Sequence, residues 1–422
     1  MITNQDAPSA LWTRNFILIS SINFQLVLTF YLLVIVIVGY SVAELGATTA
    51  QAGLISGLFI IGTLIGRFLV GKFLERFGQK ITLIVGLVGF LIFSAFYFVH
   101  LDIGVLLIVR FMHGFMMGVA STVLGTAIAQ IIPAQRRGEG IGYYSLSSTL
   151  GTAIGPFLAI WMMFRFEYNV IFAVSSIIAM SCVCIGLMIK MPKNIVSKAS
   201  ASTLELHSKQ TSQPSWISNF IEVKAVPISI VILLASICYS GVLSFINFYA
   251  KEINLLEAAA VFFLMYAIAI LFSRPFTGPL LDRKGENIIM YPAFVIMAIG
   301  LFLLSQASAS WMLLLSAALL GLGYGNIQSV CQTLAVKSAT LERMGFATST
   351  YFIFLDAGLG FGPYFIGIAL DYISYASLYL YSSIGACACL LIYYVLHGRM
   401  ANKVEATVDS HAIRKMLTNA LY

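Results

Sequence analysis

The chain has 422 residues, 60% of them hydrophobic and only 10% charged, too few charges to cover a water-soluble surface, so lipid is the expected solvent. The net charge of +7 does not describe a nucleic-acid-binding face, because Lys and Arg fall in short connectors between apolar blocks. All six cysteines lie inside those blocks, without the polar loops of a disulfide framework or metal site; they read as small packing residues, and no metal or cofactor is expected.

In chain order, a window of about nineteen residues finds apolar stretches near 16–40, 52–70, 81–99, 104–127, 140–163, 169–190, 226–249, 258–276, 287–305, 311–334, 346–370 and 376–397. Each is long enough to cross a bilayer of about 30 Å at about 1.5 Å per residue. The first lacks a cleavage-site pattern and reads as a retained helix. The polar stretch 191–225 reads as a flexible linker dividing an N-terminal half, 1–190, from a C-terminal half, 226–398; the basic tail 399–422 ends in a stretch able to form a surface helix. Arg14, Lys72, Arg76, Lys80, Arg136, Arg137, Arg283, Lys284, Lys337, Arg343, Arg399 and the linker cations share one side, and only Arg165 and Lys251 fall on the other. The positive-inside rule then predicts a multi-pass cell-membrane protein with both termini cytoplasmic. One chain is the expected working unit.

A fixed shift of 207 positions superposes the halves without gaps. Arg67, Gly71, Arg76 and Gly78 fall on Arg274, Gly278, Arg283 and Gly285, and Glu75 falls on Asp282. Gly114 and Gly118 fall on Gly321 and Gly325, Arg136 and Gly138 on Arg343 and Gly345, and Gly151, Gly155 and Pro156 on Gly358, Gly362 and Pro363. Six spans per half is an even number, so both halves enter the membrane in the same sense. The expected fold is an all-α membrane protein of twelve helices in two six-helix halves, a parallel repeat that rocks about a mid-membrane substrate site.

Three segments carry a resemblance to a known family. Gly71-Lys72-Phe73-Leu74-Glu75-Arg76-Phe77-Gly78-Gln79-Lys80 resembles G-x-x-x-D-R-x-G-R-K, with Glu75 for Asp and Gln79 for Arg; the second copy keeps Asp282-Arg283. Arg110-Phe111-Met112-His113-Gly114 resembles R-x-x-Q-G, with His113 for Gln. Gly142, Gly151, Gly155 and Pro156 have the spacing G-x8-G-x3-G-P, but Ala159 and Ile160 replace a trailing glycine pair. Together they resemble the signature loop, fourth-helix motif and antiporter motif of the major facilitator superfamily, in particular its twelve-helix proton-coupled drug and metabolite exporters. The resemblance implies proton coupling through Arg110 and export by antiport. Independently of it, glycines permit a tight turn and close helix approach, while an acid on a short loop can cap a helix N-terminus or pair with the other half. Gly66, Gly71 and Lys72 mimic a phosphate-binding loop, but Phe73 replaces the Ser or Thr needed for magnesium.

Only Asp356 lies deep in a span, about eleven residues or 16 Å into the eleventh helix. Burial favours its protonated form unless a cation holds it ionised, so two roles stand open: proton carrier, or ion-pair partner of Arg67 across the halves. His113 is a candidate titrating group near neutral pH. The central cavity is expected to be lined by Asn23, Gln25, Arg110, His113, Tyr239, Asn247, Tyr324, Asn326 and Gln328. None is acidic, which favours neutral, zwitterionic or anionic cargo: a drug-like compound, a metabolite, or a carboxylate-rich metallophore or siderophore. The competing readings are a small-metabolite importer of the same fold, distinguished by direction, and a non-transporting receptor tolerant of changes at Arg110 and Asp356. An enzyme is not expected, since no paired acids or His/Cys cluster stands at membrane depth.

Overall fold

A computed structural model describes residues 11–99, 102–191, 221–370 and 372–399 of the chain. Most of the linker and tail, and the Glu75 side chain, lie outside the described residues.

Among the described residues, twelve helices are long and apolar enough to cross a membrane: α1 (Arg14–Ala43), α2 (Leu54–Leu74), α3 (Arg76–Phe98), α4 (Ile103–Ile131), α5 (Ala134–Met163), α6 (Tyr168–Met188), α7 (Val223–Glu252), α8 (Phe262–Lys284), α9 (Asn287–Ser305), α10 (Ser310–Lys337), α11 (Met344–Leu370) and α12 (Tyr375–Gly398). No strand occurs among the described residues. Helices satisfy their own backbone groups where lipid offers no partner. Polar residues mark several starts: Thr13 Oγ1 accepts from Phe16 N at the head of α1, and Asp102 Oδ1 from Val105 N at the head of α4.

Helix α8 begins at Phe262 rather than near 258, a separate short helix, Leu256–Ala260, preceding it. It also runs on to Lys284, through Pro275 and Pro279, rather than stopping near 276. Arg274 and Asp282 lower the local hydropathy without ending the helix, because neighbouring helices cover the interrupted backbone.

Pseudo-symmetry extends to the backbone. Gly78, between α2 and α3, has φ 75° and ψ 166°, and Gly285, between α8 and α9, has φ 76° and ψ 177°. Residues with a side chain avoid that region, so both reversals require glycine. Two residues further on, Lys80 Nζ donates to the Gly186, Leu187 and Ile189 carbonyls at the end of α6, and its counterpart Asn287 donates to Gly398 O at the end of α12. Each half thus ties its third helix to the free carbonyls of its sixth. Beside Asn287, His397 Nε2 lies 3.0 Å from Glu286 Oε1. Burial pushes the Glu286 carboxyl up, but its hydrogen bonds with His397 and the backbone, together with the His397 and Lys337 charges, outweigh this and hold it below the ordinary carboxylate range.

Glycines also set helix separation. Cβ atoms on Gly62 and Gly66 of α2 would collide with the Phe111 and Phe115 carbonyls of α4, and Cβ atoms on Gly114 and Gly118 with the Phe59 and Thr63 carbonyls of α2. In α5, Gly155 admits Tyr31 of α1, where a Cβ would come 2.7 Å from the Tyr31 Cβ. Gly358 of α11, the counterpart of Gly151, admits α7, where a Cβ would lie 2.6 Å from Leu233 O. Gly151 and Gly155 therefore seat α5 on α1 as their counterparts Gly358 and Gly362 seat α11 on α7. Apolar cores fill each half, and each reaches across: Leu146 joins the C-terminal core, and Val336 and Met344 join an N-terminal one.

Candidate functional site between the halves

Contacts between the halves run along two seams, α2 and α4 with α11, and α5 with α8 and α10. At the first, Ser349, Phe352 and Asp356 stand three and four residues apart and so share one face of α11. Arg67 meets all three. Its carbonyl accepts from Ser349 Oγ, its guanidinium lies 4.3 Å from the Phe352 ring centroid, and its Nε is 2.7 Å from Asp356 Oδ2. The Nε–H is not aligned with that oxygen and Nη1 has no hydrogen-bond partner, so the contact is a close ion pair rather than a bidentate fork. Gly71, one turn along α2, leaves room for Phe346, whose ring a Cβ would strike.

At the second seam, Asp282 reaches from α8 to the first turn of α5. Oδ1 accepts from Gly138 N at 2.8 Å and Oδ2 from Glu139 N at 2.9 Å. A carboxylate here satisfies two orphan helix donors and meets the positive end of the helix dipole. Lys337 of α10 lies 3.3 Å from Oδ1. A Cβ on Gly278 would come within 2.6 Å of Glu139 Cα, and one on Gly138 within 2.9 Å of Asp282 Oδ1, so both glycines permit the approach. Arg76 and Arg283, which follow the loop acids, are exposed. Arg136 instead pairs with Glu139 at 2.8 Å within α5.

Several expected cavity residues point elsewhere. Arg110 and His113 are fully buried inside the N-terminal half. Arg110 lies one turn before Gly114, on the face of α4 that meets α2; its Nη1 donates to Tyr97 OH at 3.2 Å, its Nε reaches Ile55 O at 3.4 Å, and its guanidinium lies 4.4 Å from the Phe59 centroid. His113 Nδ1 is 2.9 Å from the same Tyr97 hydroxyl. Both belong to an α2–α3–α4 cluster, not to the cavity wall. Asn23 is buried and donates to Ser147 Oγ and Ser148 Oγ of α5, 2.7 Å each. Gln25 turns to α6, where Oε1 accepts from Ser181 Oγ. Asn247 is exposed near the Glu252 end of α7.

Of the C-terminal candidates, Tyr239 and Tyr324 do come together. Tyr324 stacks on Tyr239 at 4.1 Å and bonds Ser236 Oγ at 2.9 Å, while Tyr266 also stacks on Tyr239, at 5.5 Å. Tyr351 OH donates to Gln328 O at 2.8 Å. Gly321–Gly325 forms a wide π turn in α10, after which Asn326 Nδ2 donates to Leu322 O at 2.7 Å. Asn326 Oδ1 accepts from Thr277 Oγ1 at 3.0 Å and lies 3.5 Å from Arg274 Nη1.

Arg274 is the buried residue that motif reading passed over as a site. Its signal was present in the repeat, where it is the counterpart of Arg67 while Thr149 stands opposite Asp356. A methyl group on Gly142 would lie 3.5 Å from Arg274 Cδ, which puts Arg274 at the α5–α8 seam.

The sequence profile of the Major Facilitator Superfamily matches residues 18–305 and 255–420. The chain belongs to the major facilitator superfamily. Within this superfamily, an uncharacterized transporter of Methanocaldococcus jannaschii is 25% identical over 355 residues, 83% of this chain and 90% of its own. The staphylopine export protein of Staphylococcus aureus is 22% identical over 268 residues, 62% of this chain and 64% of its own. Among solved structures, a superfamily proton:xylose symporter aligns with TM-score 0.72 at 15% identity over 90% of this chain and 94% of its own, a likeness of fold. The protein is a secondary transporter of the membrane, not an enzyme.

Proposed function

We propose that the protein exports small molecules from the cell in exchange for protons by alternating access, working as a monomer. In this reading residues 1–190 and 226–398 are the moving halves, and the linker, both termini and the Gly78 and Gly285 loops face the cytoplasm. The cation distribution supports that orientation, and similarity to a protein named for export supports the direction. The observation that carries the coupling is the Arg67–Asp356 pair, 2.7 Å across the α2–α11 seam at membrane depth.

A proton reaching Asp356 neutralises it, releases Arg67 and loosens the seam. The Asp282 cap at the other seam ties the cytoplasmic ends together until the halves rock. Each step weakens a contact between the halves, so proton entry is converted into a change of conformation rather than a change in cargo contacts. Arg110, Tyr97 and His113 brace the N-terminal half as a rigid body.

The test uses inverted membrane vesicles from cells expressing the protein or Asp356→Asn. Imposing a pH gradient is expected to drive accumulation of the exported compound with wild type, and not with Asp356→Asn. Gradient-driven accumulation by Asp356→Asn at the wild-type rate removes the coupling role.

A further inference from the structure

The repeat sets up two equivalent places, and only one is electrically complete. At the α2–α11 seam Arg67 has Ser349 and Asp356 as partners from the opposite half. The same register at the α5–α8 seam offers Arg274 the counterparts Gly142 and Thr149. Arg274 is 3% exposed, and no carboxylate among the described residues lies within ion-pair distance of it. Its Nη2 donates to Gly325 O at 3.0 Å, its Nη1 donates to Ser329 Oγ and lies 3.5 Å from Asn326 Oδ1, and its Nε has no partner.

These acceptors are all neutral. They satisfy N–H groups without cancelling the charge, and a buried guanidinium cannot lose its proton to escape the cost. Asn326 and Ser329 hold the side chain in place, while Gly142 removes the side chain that would stand before it on α5. Thr149 leaves the opposing position uncharged; its hydroxyl turns back to Ser145 O at 3.2 Å.

We propose that Arg274 anchors a carboxylate of the transported molecule, the cargo supplying at this seam the negative charge that Asp356 supplies at the other. This rests on the transport reading above. In the present conformation the seam is closed by the Gly278–Glu139 approach and the Asp282 cap. Parting of those contacts opens Arg274 to the cytoplasmic side, where cargo loads. A carboxylate bound there neutralises Arg274 as the halves close again, so an empty carrier closes less readily than a loaded one.

The test compares cells lacking the gene with cells carrying wild type, Arg274→Gln, Thr149→Asp or Thr149→Asn, by untargeted metabolite profiling of cells and medium. Compounds retained on deletion are expected to carry a free carboxylate. Arg274→Gln is expected to lower their export about thirtyfold or more. Thr149→Asp, which builds an internal counter-ion, is expected to export far less than its uncharged control Thr149→Asn. In purified protein, Thr149→Asp is expected to melt at a higher temperature than Thr149→Asn, so that lost export cannot be ascribed to misfolding. Retained compounds without an acidic group, or equal export by Thr149→Asp and Thr149→Asn, overturn the anchor and leave the transporter standing. A lower melting temperature for Thr149→Asp than for Thr149→Asn overturns the geometry. A deletion that shifts no compound overturns the transport reading and the anchor with it.

Discussion

The Arg67–Asp356 pair permits a prediction in which the order of effects matters more than any single value. At 2.7 Å two unit charges attract by about 6 kcal/mol at an effective dielectric constant of about 20. Side-chain exposures of 6% and 18% leave little water to take over either charge, and desolvation opposes the attraction by several kcal/mol per ion. The intact pair is therefore near balance, whereas removing one member strands the other at a cost of about 3–5 kcal/mol. Asp356→Asn leaves a guanidinium that cannot discharge, although Phe352 at 4.3 Å returns roughly 1 kcal/mol. Arg67→Gln leaves a carboxyl group that escapes by taking up a proton, so its loss is the smaller, about 1–2 kcal/mol. The double variant carries no buried charge and is expected to fall within about 1 kcal/mol of wild type. Melting of the four purified proteins in one detergent, read by tryptophan fluorescence, places them in a double-mutant cycle. Additive losses, with a coupling below about 0.5 kcal/mol, would refute the argument, as would Arg67→Gln melting below Asp356→Asn.

Asp282→Asn keeps one acceptor for the first turn of α5 but gives up the charge at the helix dipole, so the closed seam is expected to lose about 1 kcal/mol. A cysteine pair across the α5–α8 seam should then cross-link more slowly, and an unchanged rate counts against the cap. Gly114→Val drives a branched side chain into the Phe59 carbonyl of α2; folded yield by size-exclusion chromatography is expected to collapse, with the overpacking cost above about 3 kcal/mol for a backbone collision. A normal yield would mean that α2 and α4 are not in backbone contact.

Much of this protein was readable along the chain because lipid enforces simple rules. A bilayer demands long apolar helices, so the spans and the two-half plan follow from hydropathy and the shift of 207 positions. The same shift aligns Gly78 with Gly285, and the structure gives both the one backbone conformation that only glycine adopts. Periodicity also suffices to put Ser349, Phe352 and Asp356 on one face of α11. What periodicity does not give is the helix that each face meets. Arg110 and His113 carry the residue types of a cavity wall, yet Gly114 and Gly118 draw their face of α4 against α2, and both end inside the N-terminal half. Gln25 likewise meets Ser181 of α6. Arg274 was visible as one member of a repeated pair, but only the packing of α8 against α5 and α10 shows it buried among neutral acceptors, with no counter-ion among the described residues. Solvent preference is a property of each residue and survives in the sequence. Pairing of faces depends on twelve helices packing at once, and only the tertiary structure decides it.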